Sequence, residues 1–250
     1  MFRNDTVEIN PLGAKSSRAA SYDGKCSYAF KAQGSPNDLD SGACTAKPLS
    51  YRIVKRAFDV AFSAAVIAVG AIPGAILSVA VTADTKSFPI FSQVRVGRGG
   101  KPFRIYKFRT MAGGFEDPET ALTLEQLAEW RKERKVEDDP RITDLGRVLR
   151  ATSIDEFPQF VNVILGQISV VGPRPVTFEE LEYYGKDKHR LLSCPPGITC
   201  IWQTGPRNEA TFESGERQRL DLEYVEHASL ALDAKLILKT IATVARRTGK

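Results

Sequence analysis

One long run without a charged side chain constrains the fold of this chain more than any other feature. Residues Val60–Ala83 contain no Asp, Glu, Lys or Arg, and as a single helix they would measure about 36 Å. The hydrocarbon core of a bilayer is roughly 30 Å thick. Pro73-Gly74 lies in the middle of the run, where proline removes a backbone donor and favours a kink. The run predicts a membrane helix, and an Ala-rich buried core helix is the less favoured interpretation.

Basic residues on both sides of this run predict how it meets the membrane. They are Arg52, Lys55, Arg56, Lys86, Arg95, Arg98 and Lys101. Because Lys and Arg resist translocation, both ends of the run prefer the cytoplasmic side. A helix that kinks at Pro73 and returns to the same face satisfies both flanks, whereas a straight span satisfies only one. We therefore predict a re-entrant membrane helix over residues 51–84.

Composition limits the class of protein and its partners. With 250 residues, 42% of them hydrophobic, the chain can bury one core and still supply a membrane element. Its formal charge of +5 favours nucleic acid, anionic lipid or a phosphorylated substrate as partner. The cysteines form no C-x-x-C pair, and the two histidines lie far apart, so a zinc site is disfavoured. A reduced, cytoplasmic setting fits best, with a Cys194–Cys200 disulfide as the alternative.

The rest of the chain predicts a mixed α/β domain dominated by helices. Residues 1–50 are polar and lack a hydrophobic period, which predicts a disordered extension. Residues 85–250 read as a cytoplasmic catalytic domain with amphipathic interfacial helices. The runs Phe91–Val96 and Phe103–Phe108 predict a small β-hairpin around a glycine-rich loop. That loop lacks the spacing of a phosphate-binding P-loop, and its basic and aromatic residues match no nucleic-acid-binding fold.

Three helical regions are predicted within this domain. Thr123 with Gln126 forms a capping-box pattern for a helix that runs to about Lys135. A second helical region spans Arg141 to Gly166. A third, Ser229–Val244, is amphipathic and leads into a basic tail, which suits an anionic membrane surface or packing on the domain.

A pair of adjacent carboxylates is the strongest chemical signal. Asp155 and Glu156 precede Pro158-Gln159, and Arg174 lies between two prolines that restrict its backbone. On a helix, neighbouring residues diverge by about 100°, which suits one nucleophile and one metal ligand better than a proton-sharing pair. Arginine offers a planar fork for phosphate, and a carboxylate can attack phosphorus. A solvated acidic pair near the start of a helix is the less favoured reading.

Together these motifs resemble the bacterial sugar transferases, the monotopic polyprenyl-phosphate hexose-1-phosphate (phosphoglycosyl) transferases, from about Lys55 to the C-terminus. The motifs, in order, are Lys55-Arg56-x-Phe58-Asp59, Arg95-Val96-Gly97, Lys107-Phe108-Arg109-Thr110-Met111, Asp139-Pro140-Arg141-Ile142-Thr143, Ser153-x-Asp155-Glu156-x-Pro158-Gln159, Gly172-Pro173-Arg174-Pro175 and Pro196-Gly197-Ile198-Thr199.

The resemblance implies a role for each matching residue. Asp155 would be the covalent nucleophile, Glu156 a magnesium ligand and Lys107 a stabiliser of charge. The candidate catalytic residues are Asp155, Glu156, Lys107 and Asp233; the candidate phosphate-binding residues are Arg174, Arg207 and Arg109; the candidate Mg²⁺ ligands are Glu156 and Asp155. Three departures accompany the match: Ile72 replaces a serine before the proline, and Cys200 and Pro206 replace glycines. They leave the kink angle and the sugar preference open.

The implied reaction moves hexose 1-phosphate from a UDP-sugar to undecaprenyl phosphate and releases UMP, through a phosphosugar on Asp155. It would start exopolysaccharide assembly at the cytoplasmic face of the bacterial inner membrane. The expected partners are UDP-hexose, undecaprenyl phosphate and inner-membrane lipids; no nucleic acid is expected, and homo-oligomerisation is left open. A catalytically silent membrane adaptor for later glycosyltransferases is the alternative.

Overall fold

A computed structural model describes residues 47–114, 117–133, 136, 138–205 and 211–245 of the chain. The predicted disordered extension falls outside these residues, except for residues 47–50. Helices dominate, and two small sheets complete a mixed α/β fold, which confirms the predicted class.

The first helix, α1, runs through the whole uncharged segment. It spans Leu49–Thr85 without interruption and includes Pro73. Within the described part of the chain it is the one helix long and apolar enough to cross a membrane. Large apolar side chains point away from the protein on this helix, including Val69 and Ile72, which are 81% and 75% exposed. These features support membrane association, while the re-entrant path through the bilayer stays a prediction.

The predicted hairpin is confirmed. Strands β1 (Ile90–Val96) and β2 (Pro102–Phe108) are antiparallel, with Phe91 opposite Lys107. A short 3₁₀ turn over Arg98–Gly100 connects them. Both Gly99 and Gly100 have φ near +70°, a conformation that other residues adopt only with strain.

The remaining helices are short apart from the last two. They are α2 (Pro118–Ala121), α3 (Leu124–Glu133), α4 (Asp144–Thr152), α5 (Gln159–Ile164), α6 (Phe178–Glu182), α7 (Lys188–Leu191), α8 (Ile201–Thr204), α9 (Glu216–His227) and α10 (Leu230–Ala245). The capping box before α3 forms in both directions, between Thr123 and Gln126. Helix α10 confirms the predicted C-terminal helix. The helical region predicted over Arg141–Gly166 is present, but a tight turn divides it into α4 and α5.

A second sheet was absent from the sequence prediction. Strands β3 (Ser169–Val171) and β4 (Gly197–Thr199) pair in parallel. Their backbones approach so closely that a Cβ at Gly197 would lie 2.0 Å from the nitrogen of Gly172. Any side chain there would separate the strands. The pairing brings the Gly-Pro-Arg-Pro and Pro-Gly-Ile-Thr motifs together.

The N-terminal part of α1 is fastened to this framework by polar contacts. Arg56 donates to the carbonyls of Val163 and Ile164 at the end of α5, at 2.6 and 2.9 Å. Buried Asp59 accepts from the Ser169 hydroxyl at 2.7 Å and from the Val170 amide at 3.1 Å. Helix α1 is therefore packed into the domain at its N-terminal part, in addition to carrying the exposed apolar surface described above.

Candidate active site

The two adjacent carboxylates lie on a 3₁₀ turn, Ile154–Glu156, between α4 and α5. Ser153 ends α4 with φ +56°, a left-handed conformation, and its amide donates to the Arg150 carbonyl at 3.1 Å. Side chains on a 3₁₀ turn diverge by about 120° per residue, somewhat more than the helix expected from sequence would give. Left-handed non-glycine residues are costly and concentrate at functional sites.

Asp155 is buried and lies within electrostatic range of a partly buried cation, Arg150. Its residue exposure is 8%, and its charge acts on Arg150, whose Nε donates to the Thr110 hydroxyl at 2.9 Å. Burial lowers the pKa of Arg150, and the neighbouring carboxylates of Asp155 and Asp139 oppose that shift. Arg150 thus supplies a fixed positive charge beside the candidate nucleophile.

Glu156 forms an ion pair with Lys107, the lysine that the sequence predicted for the site. Lys107 Nζ lies 2.9 Å from Glu156 Oε1, and their side chains are 29% and 18% exposed. Strand β2 carries Lys107, and the buried side chain of Asn162 fixes the outer edge of that strand. Asn162 accepts from the Tyr106 amide at 3.1 Å and donates to the Arg104 carbonyl at 2.7 Å. The lysine and the carboxylate turn are therefore held in register.

Arg174 is fixed at its backbone. Its amide donates to Asp221 Oδ1 at 3.1 Å, and the Tyr184 hydroxyl donates to Asp221 Oδ2 at 2.7 Å. Burial raises the pKa of Asp221 to about 6, although both of these hydrogen bonds oppose the shift. The Arg174 guanidinium lies over the indole ring of Trp202, with Cζ 5.2 Å from its centroid, within the range of a cation–π contact.

A second arginine, which sequence reasoning missed, joins Arg174. Arg217 has Cζ 5.1 Å from the Trp202 ring centroid and 4.8 Å from that of Phe212. The positive charges of both arginines lower the pKa of the buried Glu180 carboxyl. Nothing in the sequence around Arg217 marks it, because its partner Trp202 lies 15 residues away in an unrelated segment.

Glu180 organises this group of arginines. Burial raises the pKa of its carboxyl, but the Arg95 guanidinium, 2.6 Å away, and the neighbouring Arg174 lower it more, so the pKa lies below its usual value. Glu180 also completes a capping box with Thr177 at the start of α6. The ionised carboxylate binds Arg95 directly and attracts the charges of Arg174 and Arg217.

Cys200 packs with Trp202 and Leu220 and is close enough to Glu156 and Arg174 to be affected by both charges. It is fully buried, and burial together with the charges of Asp221 and Glu156 raises the pKa of its thiol, while Arg174 opposes the shift. Both Cys194 and Cys200 are free thiols. The φ of Cys200 is −145°, an extended conformation open to any residue. Its replacement of glycine therefore needs no backbone strain.

Two further predicted site residues, Asp233 and Arg109, make contacts with other parts of the fold. Asp233 accepts hydrogen bonds from Lys55 at 2.9 Å and from the hydroxyls of Tyr51 and Tyr224 at 3.2 and 2.7 Å. These contacts fasten α10 to the start of α1, and a catalytic role for Asp233 stays a prediction. Arg109 donates to the Phe88 carbonyl at 2.9 Å, at the base of the hairpin. Arg207 and Pro206 lie outside the described residues.

The carboxylate pair fits the requirements of Mg²⁺. Within the described residues, no cluster of three or more His, Cys, Asp or Glu side chains forms a metal cage. Mg²⁺ commonly binds one or two carboxylates and completes its shell with water and substrate phosphates. Glu156, with the more exposed side chain, and Asp155 match an ion that binds together with a phosphorylated substrate.

The fold and this site define a class: a protein with one long apolar helix suited to membrane association, a carboxylate pair that contacts a lysine and a group of arginines around Trp202. The sequence model of the family described as bacterial sugar transferase matches residues 50–247. The chain therefore belongs to the bacterial sugar transferase family.

Curated relatives agree with this assignment. The chain is 38% identical over 203 residues to an undecaprenyl-phosphate galactose phosphotransferase of Salmonella typhimurium, covering 80% of this chain and 42% of that protein. It is 34% identical over 198 residues to a UDP-glucose:undecaprenyl-phosphate glucose-1-phosphate transferase of Klebsiella pneumoniae, covering 76% and 39%.

A shorter relative matches along most of its own length. The exopolysaccharide production protein ExoY of Rhizobium meliloti is 38% identical over 201 residues, which cover 79% of this chain and 88% of ExoY. The chain thus spans about two fifths of the length of the first two relatives and most of the third.

Proposed function

We propose that this protein transfers hexose 1-phosphate from a UDP-sugar to undecaprenyl phosphate and releases UMP. The observation that carries the proposal is the buried Asp155 on a strained turn near Arg150. The next residue, Glu156, forms an ion pair with Lys107. This arrangement supports the proposal because the backbone would hold a nucleophile, a neighbouring positive charge and a charge-stabilising lysine in one region. The named activities of the relatives favour the same reaction.

The proposed transfer has two displacements. A carboxylate oxygen of Asp155 attacks the phosphorus that bears the sugar, the bond from that phosphorus to the bridging oxygen breaks, and UMP leaves with the bonding electrons. An oxygen of undecaprenyl phosphate then attacks the same phosphorus and regenerates the Asp155 carboxylate. The lipid leaves as the diphosphate-linked sugar. Covalent catalysis of this kind splits one transfer between anions into two steps.

The positive groups have separate tasks in this scheme. Lys107 stabilises charge on the transferred phosphoryl group, and Arg174 with Arg217 binds the phosphates of the donor. Transfer of a phosphoryl group depends mainly on positioning and on the neutralisation of charge. Mg²⁺, held by Glu156 and Asp155, would supply further neutralisation of phosphate oxygens.

The membrane helix supports the lipid half of the proposal. Helix α1 exposes a long apolar surface and is fastened to α5 and β3. We propose that it is re-entrant, with both ends at the cytoplasmic face of the inner membrane, where the lipid phosphate is accessible. The family and the ExoY relative favour a role in starting exopolysaccharide assembly, and the names of the other two relatives favour galactose or glucose as the sugar.

The test uses the full chain in detergent with undecaprenyl phosphate, Mg²⁺ and either UDP-galactose or UDP-glucose. Lipid-dependent UMP release is expected from the wild type and a loss of release from Asp155→Asn. With a donor radiolabelled in the sugar-bearing phosphate and no lipid, the wild type should retain label on the protein, sensitive to hydroxylamine, and Asp155→Asn should not. A folded, membrane-bound wild type that releases no UMP from any UDP-sugar would instead support the adaptor.

A further inference from the structure

The side chain that follows the carboxylate pair lies directly on the membrane helix. Phe157 closes the catalytic turn, since its amide donates to the Ile154 carbonyl at 3.1 Å. Its ring lies against α1 at Gly70 and Gly74, which are one helical turn apart. A Cβ at Gly70 would be 2.2 Å from Cε2 of that ring, and a Cβ at Gly74 would be 3.2 Å from Cε1. With the ring in place, only glycine fits at position 70.

The ring has little room to move away from the helix. It is stacked with Phe108, with centroids 6.3 Å apart and planes inclined by 6°, and tilted against Phe160 with centroids 6.3 Å apart. Phe108 is buried and directly follows Lys107. Because interiors are close-packed, a displacement of the Phe157 ring passes to the backbone of the turn and to the end of β2.

The contact lies at the point where the helix contains its proline. Pro73 lies between the two glycines that receive the ring, so the local geometry of α1 at this proline sets the distance between them. The side chains Val69, Ile72 and Ile76 of the same segment are exposed, as expected for a lipid-facing surface. One face of this segment therefore meets lipid while the other meets the catalytic turn.

We propose that Phe157 is a positioning residue: its ring, seated on Gly70 and Gly74, fixes the Asp155–Glu156 turn relative to the membrane helix. The geometry of α1 around Pro73 thereby controls how well the nucleophile is aligned. This inference rests on the proposed transferase function and adds to it a mechanical link between the membrane element and catalysis.

The size of the steric conflict predicts the effect of filling the first glycine. Ordinary contacts between carbon atoms are about 3.5–4.0 Å, so Gly70→Ala forces the ring to retreat by more than about 1 Å. A misplacement of about 1 Å can cost about 100-fold in rate. We expect kcat for UMP release to fall by about 100-fold. The donor KM should stay nearly unchanged, because Arg174 is held separately by Asp221.

Matched variants isolate the ring contact. Gly74→Ala meets the ring at 3.2 Å and should reduce kcat much less than Gly70→Ala. Ala71→Val adds bulk at an exposed position of the same segment and should leave kcat unchanged. Phe157→Leu lacks the far edge of the ring, so Gly70→Ala/Phe157→Leu should turn over at least about tenfold faster than Gly70→Ala alone, the signature of two directly coupled residues.

The experiment measures kcat and donor KM for the full chain, with circular dichroism and membrane partitioning as controls for folding. If Gly70→Ala does not fold, Gly74→Val carries the test, since it approaches the same ring and should also be rescued by Phe157→Leu. Wild-type kcat in a folded Gly70→Ala variant would overturn the inference. The inference would also be overturned if Gly70→Ala/Phe157→Leu were as slow as Gly70→Ala while Phe157→Leu alone stayed active. An inactive wild type would instead refute the proposed function and, with it, the role of Phe157.

Discussion

Replacing Asn162 is the sharpest test of how the site is assembled. Its side chain is fully buried and forms the hydrogen bonds that a neighbouring strand would make to the outer edge of β2. It accepts from the Tyr106 amide and donates to the Arg104 carbonyl. It also donates to the side-chain oxygen of Gln167 at 2.6 Å. Asn162→Leu keeps the branching and the number of side-chain heavy atoms and leaves all three partners without a hydrogen-bonding group.

The expected loss follows from the number of bonds. Each hydrogen bond contributes about 1 kcal/mol net, and an unsatisfied buried backbone group costs about 1–3 kcal/mol. Three lost bonds therefore destabilise the fold by about 3 kcal/mol. For a domain of this size, 1 kcal/mol corresponds to a shift of about 2–4 °C in Tm, so we expect Asn162→Leu to melt about 6–12 °C lower.

Thermal unfolding in detergent, followed by intrinsic fluorescence, measures this shift. Gln167→Ala is the control, because it removes one of the three bonds and should lower Tm by only about 2–4 °C. Below the melting range, Asn162→Leu should also lower kcat, since the edge it releases carries Lys107. A Tm within about 2 °C of the wild type would refute the reasoning.

Four further changes test other parts of the site. Lys107→Ala should lower kcat for UMP release by about 100-fold, the effect of removing one stabilising donor, while its Tm stays close to that of the wild type because the pair with Glu156 is partly exposed. Arg217→Ala should raise the donor KM, measured by UMP release, with Arg217→Lys intermediate. Asp233→Ala leaves Lys55 without its carboxylate partner and should lower the free energy of unfolding by about 3 kcal/mol in denaturant titrations. Because the pKa of Asp221 rises from 3.8 to about 6 on folding, the folded state binds the proton more tightly. The free energy of unfolding should therefore fall by up to about 3 kcal/mol between pH 4 and 6, and Asp221→Asn should flatten that slope.

Sequence patterns predicted those elements whose signals are local. The hairpin followed from two runs of β-branched and aromatic residues around glycines, and α3 followed from a capping box whose two hydrogen bonds form as expected. The uncharged run predicted the long apolar helix. In each case, the residues that determine the structure lie within a few positions of one another.

The rest depends on contacts between distant segments. Strands β3 and β4 contain three residues each, too few for a period, and they form because Gly172 and Gly197 allow two backbones to meet. The break between α4 and α5 depends on Ser153 in a left-handed conformation. Glycine is the usual sequence marker of that conformation, and position 153 holds a serine instead. Arg217 enters the site through Trp202, which is remote in sequence.

One helix contacts the elements that carry both halves of the candidate site, which in the proposed reaction would link membrane association to catalysis. Near its start, Asp59 of α1 bonds to β3, the strand that leads into Gly-Pro-Arg-Pro and therefore into Arg174. Farther along, Gly70 and Gly74 receive the ring of Phe157 beside the carboxylate turn. Both displacements of the proposed reaction use Asp155, so the donor phosphate and the lipid phosphate must reach the same atom in turn. If α1 lies in the membrane as proposed, a helix that contacts both the arginine and the carboxylate elements would keep that atom at a fixed position relative to the bilayer in both steps, which a flexible tether would not do.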